Sequence, residues 1–331
     1  MGAKDLVQVL KEVAPYDHPW VDGNVGPMED AALLRPESGS PLAFTVDFIT
    51  PIVDDPYDYG AIAAANSLSD VYAMGGQPCV ALALCGFPEE LVPHEVLVRI
   101  FQGGRDKAAE ADCAIVGGHT VLDPELKYGL CVVGSLADGR ALKQSGGCPG
   151  DALVLTKPIG SGIAAQAIKA DRLAPEDLAR VVDAMKRLNA EARDAALAVG
   201  AHAATDVTGF GLLGHLHHLA AASGVAARLH SECVPAFEFA RALAEEGVVP
   251  GGTRRNADYV VSQVDYAAGL GEAERLLLCD AQTSGGLLLA VAPEDEQRLR
   301  DLLDAAGALA SATIGELAEP QQLGVGRIAV E

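Results

Sequence analysis

Three aspartates stand alone in long stretches of this chain that carry no other formal charge, so any fold must find each of them a compensating partner. Asp47 lies in SPLAFTVDFITPIV (residues 40–53), Asp70 in AIAAANSLSDVYAMGGQPCVALALCGFP (61–88), and Asp206 in AALAVGAHAATDVTGFGLLGHLHHLAAASGVAA (195–227). Burying a lone carboxylate among small and apolar side chains costs several kcal/mol unless a cation, backbone N–H groups or a proton offsets the charge. One such residue reads equally well as a helix cap or a turn. Three together point to one shared cation.

At 331 residues the chain is long for a single core, and two domains are the natural expectation. Half of it is hydrophobic, but aromatics make up only 5% and there are 36 glycines, which favours close helix and backbone packing over a bulky aromatic core. The formal charge of −22, from 24 basic and 46 acidic side chains, repels nucleic-acid phosphates and anionic membrane surfaces. It also disfavours a polyphosphate ligand unless divalent cations accompany it. Seven cysteines (79, 85, 113, 131, 148, 233, 279) form no CxxC pair and read as reduced cytoplasmic thiols, mostly in the core. MGAKDLVQVLKEVAP carries charges where a signal peptide needs an apolar run, and no stretch has transmembrane character.

Leu6, Val7, Leu10 and Val13 follow helical spacing and predict a short opening helix. Strands are expected at 42–46, 80–87, 128–136 and before GGH (117–119), with helices at 59–73 and 93–110. KQSGGCPGD (143–151), with its Gly and Pro punctuation, marks a boundary between domains at 1–145 and 151–331. Beyond it come a strand ending at TKPIGSG, one long helix over 174–199, the loop TDVTGFG (205–211), a helix over HLHHLAAA, and late strands including 285–292. Strands and helices alternate without a strict βαβ rhythm, so the fold class is α+β, two mixed α/β domains.

No GxxxxGK[ST] phosphate loop is present. GFGLLG (209–214) matches the dinucleotide fingerprint, but TDVT precedes it in place of a buried apolar strand, which argues against that reading. His215, His217 and His218 fall at i, i+2 and i+3, a spacing that converges poorly on a helix, so they read as solvated. Thr283 to Gly286 and Gly117 to His119 can each be a simple turn or a ligand contact.

The runs DFITPIVDDPYDYGAIAAANSLSDVYAMGGQP, GGHT, TKPIGSG, TDVTGFGLLGHL, VPGGTRRN and CDAQTSGGLLLAV, in this order, closely resemble the selenophosphate synthetase (selenide, water dikinase) family. The wider superfamily also holds aminoimidazole ribonucleotide synthetase, thiamine-monophosphate kinase and a hydrogenase maturation protein. The resemblance implies a homodimer in which an N-terminal domain completes a β-barrel with its partner, while the C-terminal domain is a layered α/β unit. It implies a cytoplasmic phosphotransferase that turns ATP, selenide and water into selenophosphate, AMP and phosphate, with several Mg2+ ions. Carried over by motif, Asp30, Asp70 and Asp206 are the implied Mg2+ ligands. Pro27, Met28, Glu29, Asp47, Asp70, Gly117, Gly118 and His119 are the implied ATP contacts. Family members carry a Gly-rich segment with a Cys or selenocysteine and then a Lys before the first helix; this chain begins at that helix, so the expectation is that both lie upstream of Met1 and that no catalytic residue is assigned within it. Lys4 belongs to the helix register and does not take the role. A nucleotide-binding variant without selenide chemistry and a sibling small-molecule kinase are the alternatives.

Overall fold

The structure is a computed structural model that describes residues 18–22, 29–136 and 139–331. The opening helix expected over residues 6–13, and Pro27 and Met28, lie outside the described residues. The first half contains β1 (Ala32–Leu34), β2 (Leu42–Ile49), α1 (Pro56–Ala73), β3 (Gln77–Phe87), α2 (His94–Glu110), β4 (Ala114–Leu122) and β5 (Lys127–Ser135). Its five strands run in the order β1-β2-β5-β3-β4, antiparallel except for the parallel β3–β4 pair. The sheet is open, with β1 and β4 as its edges.

Helix α1 starts where Asp55 accepts a hydrogen bond from the backbone N–H of Asp58 (2.9 Å) and Pro56 fixes the first helical φ. Its small side chains let α2 approach closely. A Cβ on Gly60 would lie 2.0 Å from the Ile100 carbonyl oxygen, and one on Gly103 2.0 Å from that of Tyr57, so this crossing requires glycine on both helices. The pair covers one face of the sheet, and nearly all of α1 from Tyr59 onward is buried.

The second half follows as β6 (Ala152–Leu155), α3 (Ser161–Lys169), α4 (Pro175–Lys186), α5 (Ala190–Val199), β7 (Ala203–Asp206), α6 (Gly211–Ser223), β8 (Ala226–Leu229), α7 (Glu238–Glu245), α8 (Gly251–Val260), β9 (Val264–Tyr266), α9 (Glu272–Leu278), β10 (Leu287–Val291), α10 (Glu296–Ala305), β11 (Ala312–Ala318) and, after a short helix, β12 (Ile328–Val330). Its seven strands run β7-β10-β6-β11-β8-β12-β9. Every residue of β6, β7 and β10 is buried, as apolar runs such as LLLAV require of strands covered on both faces. This is a mixed α/β fold of two domains with two mixed sheets. No helix among the described residues is long and apolar enough to cross a membrane.

Two expectations need correction. The single helix over 174–199 is two helices broken at Arg187–Asn189. The break frees the Arg187 carbonyl to accept from Lys157 Nζ (2.6 Å) and turns the buried Asn189 amide toward Ser69 Oγ and the Gly285 carbonyl, both 2.9 Å away. A continuous helix would have left that lysine and that carbonyl without these partners. TDVTGFG is likewise not all loop, because Thr205 and Asp206 end β7.

Candidate functional site

The lone aspartates come together where the two sheets meet. Asp47 projects from β2 on the face covered by α1, and its carboxylate accepts from the Asn66 amide one helix away. Asp70, near the end of α1, accepts from Thr45 Oγ1 at 2.5 Å. Asp206 ends β7 in the other sheet and is 1% exposed. Asp30, just before β1, accepts through Oδ1 from Thr205 Oγ1 (2.8 Å) and Gln144 Nε2 (3.0 Å). Glu29 accepts from the Gln144 backbone N–H at 3.0 Å. Segments 175 residues apart in sequence thus share one acidic centre.

The electrostatics show how strongly these groups crowd one another. Burial, then the neighbouring Asp206 charge, raises the Asp30 carboxyl well above its ordinary value. Burial followed by the charges of Asp206, Asp30 and Asp47 does the same to Asp70. Burial also raises Asp47 and Glu29. It pushes Asp206 up to about 6, although the Ser69 hydroxyl and Lys157 pull the other way. Oδ2 of Asp30 and Oδ2 of Asp206 are buried with no hydrogen-bond partner. Bare carboxylate oxygens in a crowded, all-oxygen cluster fit a hard divalent cation such as Mg2+, which also brings the missing positive charge.

A second polar network lies behind the aspartates. Lys157 is buried, and burial lowers its ammonium to about 7. Its Nζ donates to the carbonyls of Arg187 (2.6 Å) and Ser284 (2.9 Å). Ser284 has left-handed backbone at φ 50°, and its N–H donates to Asn66 Oδ1 at 2.8 Å, the same Asn66 that holds Asp47. The segment Thr283–Gly286 is therefore a strained bend that ties the two sheets together. Sequence reasoning missed Thr45, Asn66, Gln144, Lys157, Asn189 and Thr205. Of these only Lys157 had a signal: it is the sole charge between Asp151 and Lys169.

The GGH run lies elsewhere. Gly117, Gly118 and His119 are exposed residues inside β4, not a turn after a strand. Gly118 pairs with Ala83 and Ala83 with Leu130, which faces Asp47, so GGH sits in the same cross-sheet row, three strand spacings or about 14 Å away. A Cβ on Gly118 would fall 2.1 Å from the Ala83 carbonyl oxygen, which explains the glycine.

The histidines are not solvated, contrary to expectation. His215 and His218 are buried, and burial lowers them to about 3 and about 4, so both are neutral. His215 Nε2 accepts from the Thr208 N–H (3.1 Å) and holds the turn after Asp206, while His217 Nδ1 meets the Gly326 carbonyl at 2.7 Å. A neutral imidazole with partners is cheap to bury, which spacing alone does not reveal. A buried strand, β7, does precede GFGLLG, contrary to expectation, but its last residue is Asp206 of the acidic centre, and Gly211, at φ 70°, packs against the Cys279 carbonyl oxygen (2.5 Å from its would-be Cβ).

Comparison with known proteins identifies relatives in sequence and in fold. Residues 28–136 match the N-terminal domain of AIR synthase related proteins, and residues 148–327 match their C-terminal domain. The chain is 43% identical to a selenide, water dikinase of Carboxydothermus hydrogenoformans over 94% of this chain and 90% of the relative. It is 46% identical to one of Pelobacter propionicus over 88% and 84% of the two chains. In fold it resembles a thiamine-monophosphate kinase of Stenotrophomonas maltophilia (TM-score 0.69, 22% identity, 99% of this chain and 95% of that one). It also resembles a chain of a HypE-HypF complex (TM-score 0.73, 18% identity, 100% and 96% coverage). The likeness to solved structures extends to the fold and the likeness in sequence to nearly the whole length: the chain belongs to the selenide, water dikinase family of the AIR synthase related proteins.

Proposed function

We propose that this chain is a selenophosphate synthetase, converting ATP, selenide and water into selenophosphate, AMP and phosphate. The observation that carries the reading is the buried acidic centre shared by both sheets, with bare oxygens on Asp30 and Asp206, in a chain whose close relatives bear that enzyme's name. Asp30, Asp70 and Asp206 would hold Mg2+, which neutralises phosphate oxygens as charge shifts during phosphoryl transfer. Asp47, fixed by Asn66, would orient the nucleotide together with Glu29. Gly117, Gly118 and His119 would contact it farther along the same row of the sheet. The Lys157–Ser284–Asn66 chain keeps the two halves of the site in register. ATP as ligand draws support from fold relatives whose structures are titled with ATP or AMPPCP.

The uncovered face of the first sheet supports a homodimer. Phe44, Val46 and Phe48 on β2 and Val80 and Leu82 on β3 are 40–57% exposed and share one apolar surface. A second copy laid on it would bury that surface and could close the open sheet into a barrel. The segment between β5 and β6 supports a division at 1–145 and 151–331. Seven free thiols and no pairing between them fit a cytoplasmic setting.

The experiment is product analysis with and without selenide. The reading predicts selenide-dependent AMP formation. ADP formed with another acceptor, or AMP formation indifferent to selenide, would overturn it.

A further inference from the structure

The strands that carry the acidic centre have a second cluster at their opposite ends. Asp206 ends β7, and His202 precedes it; Lys157 follows β6, and Asp151 precedes it. Since β6 and β7 both run antiparallel to β10, they are parallel to each other, and His202 and Asp151 meet about 13 Å along the strands from Asp206. Cys148 joins them from the segment leading into β6. One ligand atom from each of Cys148, Asp151 and His202 lies within 4.8 Å of the others.

The three side chains are held in graded exposure. The Asp151 side chain is 3% exposed at the floor, His202 is 37% exposed, and Cys148 is open at the mouth. His202 Nδ1 lies 3.0 and 2.9 Å from the two Asp151 oxygens, and the Cys148 backbone N–H donates to Asp151 Oδ2 at 2.7 Å. The backbone around them is fixed as well. Asp151 N–H donates to the Cys148 carbonyl (3.0 Å), Gly150 N–H to the Leu317 carbonyl (2.8 Å), and Leu317 N–H to the Asp151 carbonyl (2.8 Å). Gly147 N–H donates to Ser223 Oγ at 3.0 Å. Gly146, at φ 116°, lies against the His202 carbonyl oxygen, where a Cβ would come within 2.8 Å.

We propose that Cys148, Asp151 and His202 form a binding site for a zinc-class divalent cation, separate from the acidic centre. A thiolate, an imidazole and a carboxylate suit a borderline-soft ion and are a poor set for Mg2+. A tetrahedral zinc centre places its ligand atoms about 3.5 Å apart, between the 2.9 Å His202–Asp151 contact and the 4.8 Å bound on the set, and the exposed Cys148 side can turn inward to shorten the longest gap. The open side leaves a fourth position to water. Without the ion, the His202–Asp151 contact holds the two side chains together. Because Cys148 lies in the segment joining the two sheets, whose Gln144 holds Asp30, the ion would also pin that segment.

The test uses the full chain in excess Mg2+, so that all-oxygen sites are filled, titrated with Co2+ as the spectroscopic stand-in for zinc. One equivalent should give a thiolate-to-cobalt charge-transfer band with tetrahedral visible bands, and added Zn2+ should displace it. Cys148→Ser should abolish the charge-transfer band, and His202→Gln should weaken binding about 10- to 100-fold. Cys233→Ser, at the other exposed thiol, should leave the titration unchanged. No charge-transfer band in the native chain, a band that survives Cys148→Ser, or one lost in Cys233→Ser would overturn the proposal.

Discussion

The seven-stranded sheet buries both faces of its central strands, whereas the five-stranded sheet is covered on one face and leaves Phe44, Val46 and Phe48 half open on the other. Their carboxylates differ in a parallel way. Asp47 and Asp70, from the open sheet and its helix, are each held by a side chain of the same domain, Asn66 and Thr45. Asp206, from the sealed sheet, keeps a bare oxygen in the interior, as does Asp30 opposite it. The sealed sheet therefore supplies one of the two bare oxygens, from a strand buried along its whole length. The open sheet supplies groups already oriented, on a frame with one apolar face uncovered.

The largest effect expected from this contrast is on assembly. Val46→Asp places a charge in the middle of the uncovered face, where it gains water in the free chain and loses it in a dimer. Sedimentation should show a dimer for the native chain and a monomer for the variant, a loss of at least about 100-fold in association, or about 2.7 kcal/mol. A native chain that sediments as a monomer would show that no second copy covers this face.

The next effect is a slope of stability against pH. Asp206 binds its proton more tightly folded, at about 6, than at its ordinary 3.8. Between those values the folded chain carries more protons than the unfolded one, so stability falls as pH rises, by roughly 3 kcal/mol for this group. Mg2+ should remove that part of the slope by taking the proton's place. Asp280, also raised to about 6 by burial but satisfied by Thr253, Gln282 and the start of α3, should keep its own share. Denaturant titrations from about pH 4 to about pH 7, with and without Mg2+, check this. A slope indifferent to Mg2+ would mean that the bare oxygens bind no ion. Lys157 acts oppositely in a higher window: held at about 7, it contributes stability that grows as pH rises from there toward its ordinary 10.5.

The aspartates were legible because a lone charge in an apolar run is an energetic anomaly that no local pattern cancels. Asp30 was not visible in that way, since Glu29 and other charges surround it, and only its motif brought it in. Lys157 is the same anomaly with the opposite sign, but its partners are carbonyls 30 and 127 residues away, and no spacing rule connects them. The helix break at Arg187–Asn189 is hidden for the same reason: LNAEARDAA reads as helix throughout, and the interruption is set by Lys157 and Gly285 from other segments. His215 and His218 look polar and prove buried, because a neutral imidazole with a partner costs little to enclose.

The bare oxygen on Asp206 is proposed to hold an ion that carries ATP. Asp206→Asn preserves shape and hydrogen bonding while removing the charge, and calorimetry of ATP binding with and without Mg2+ tests it directly. Mg2+-dependent ATP binding is expected in the native chain and is expected to be lost in the variant, with the variant still folded. Unchanged affinity in Asp206→Asn would contradict it.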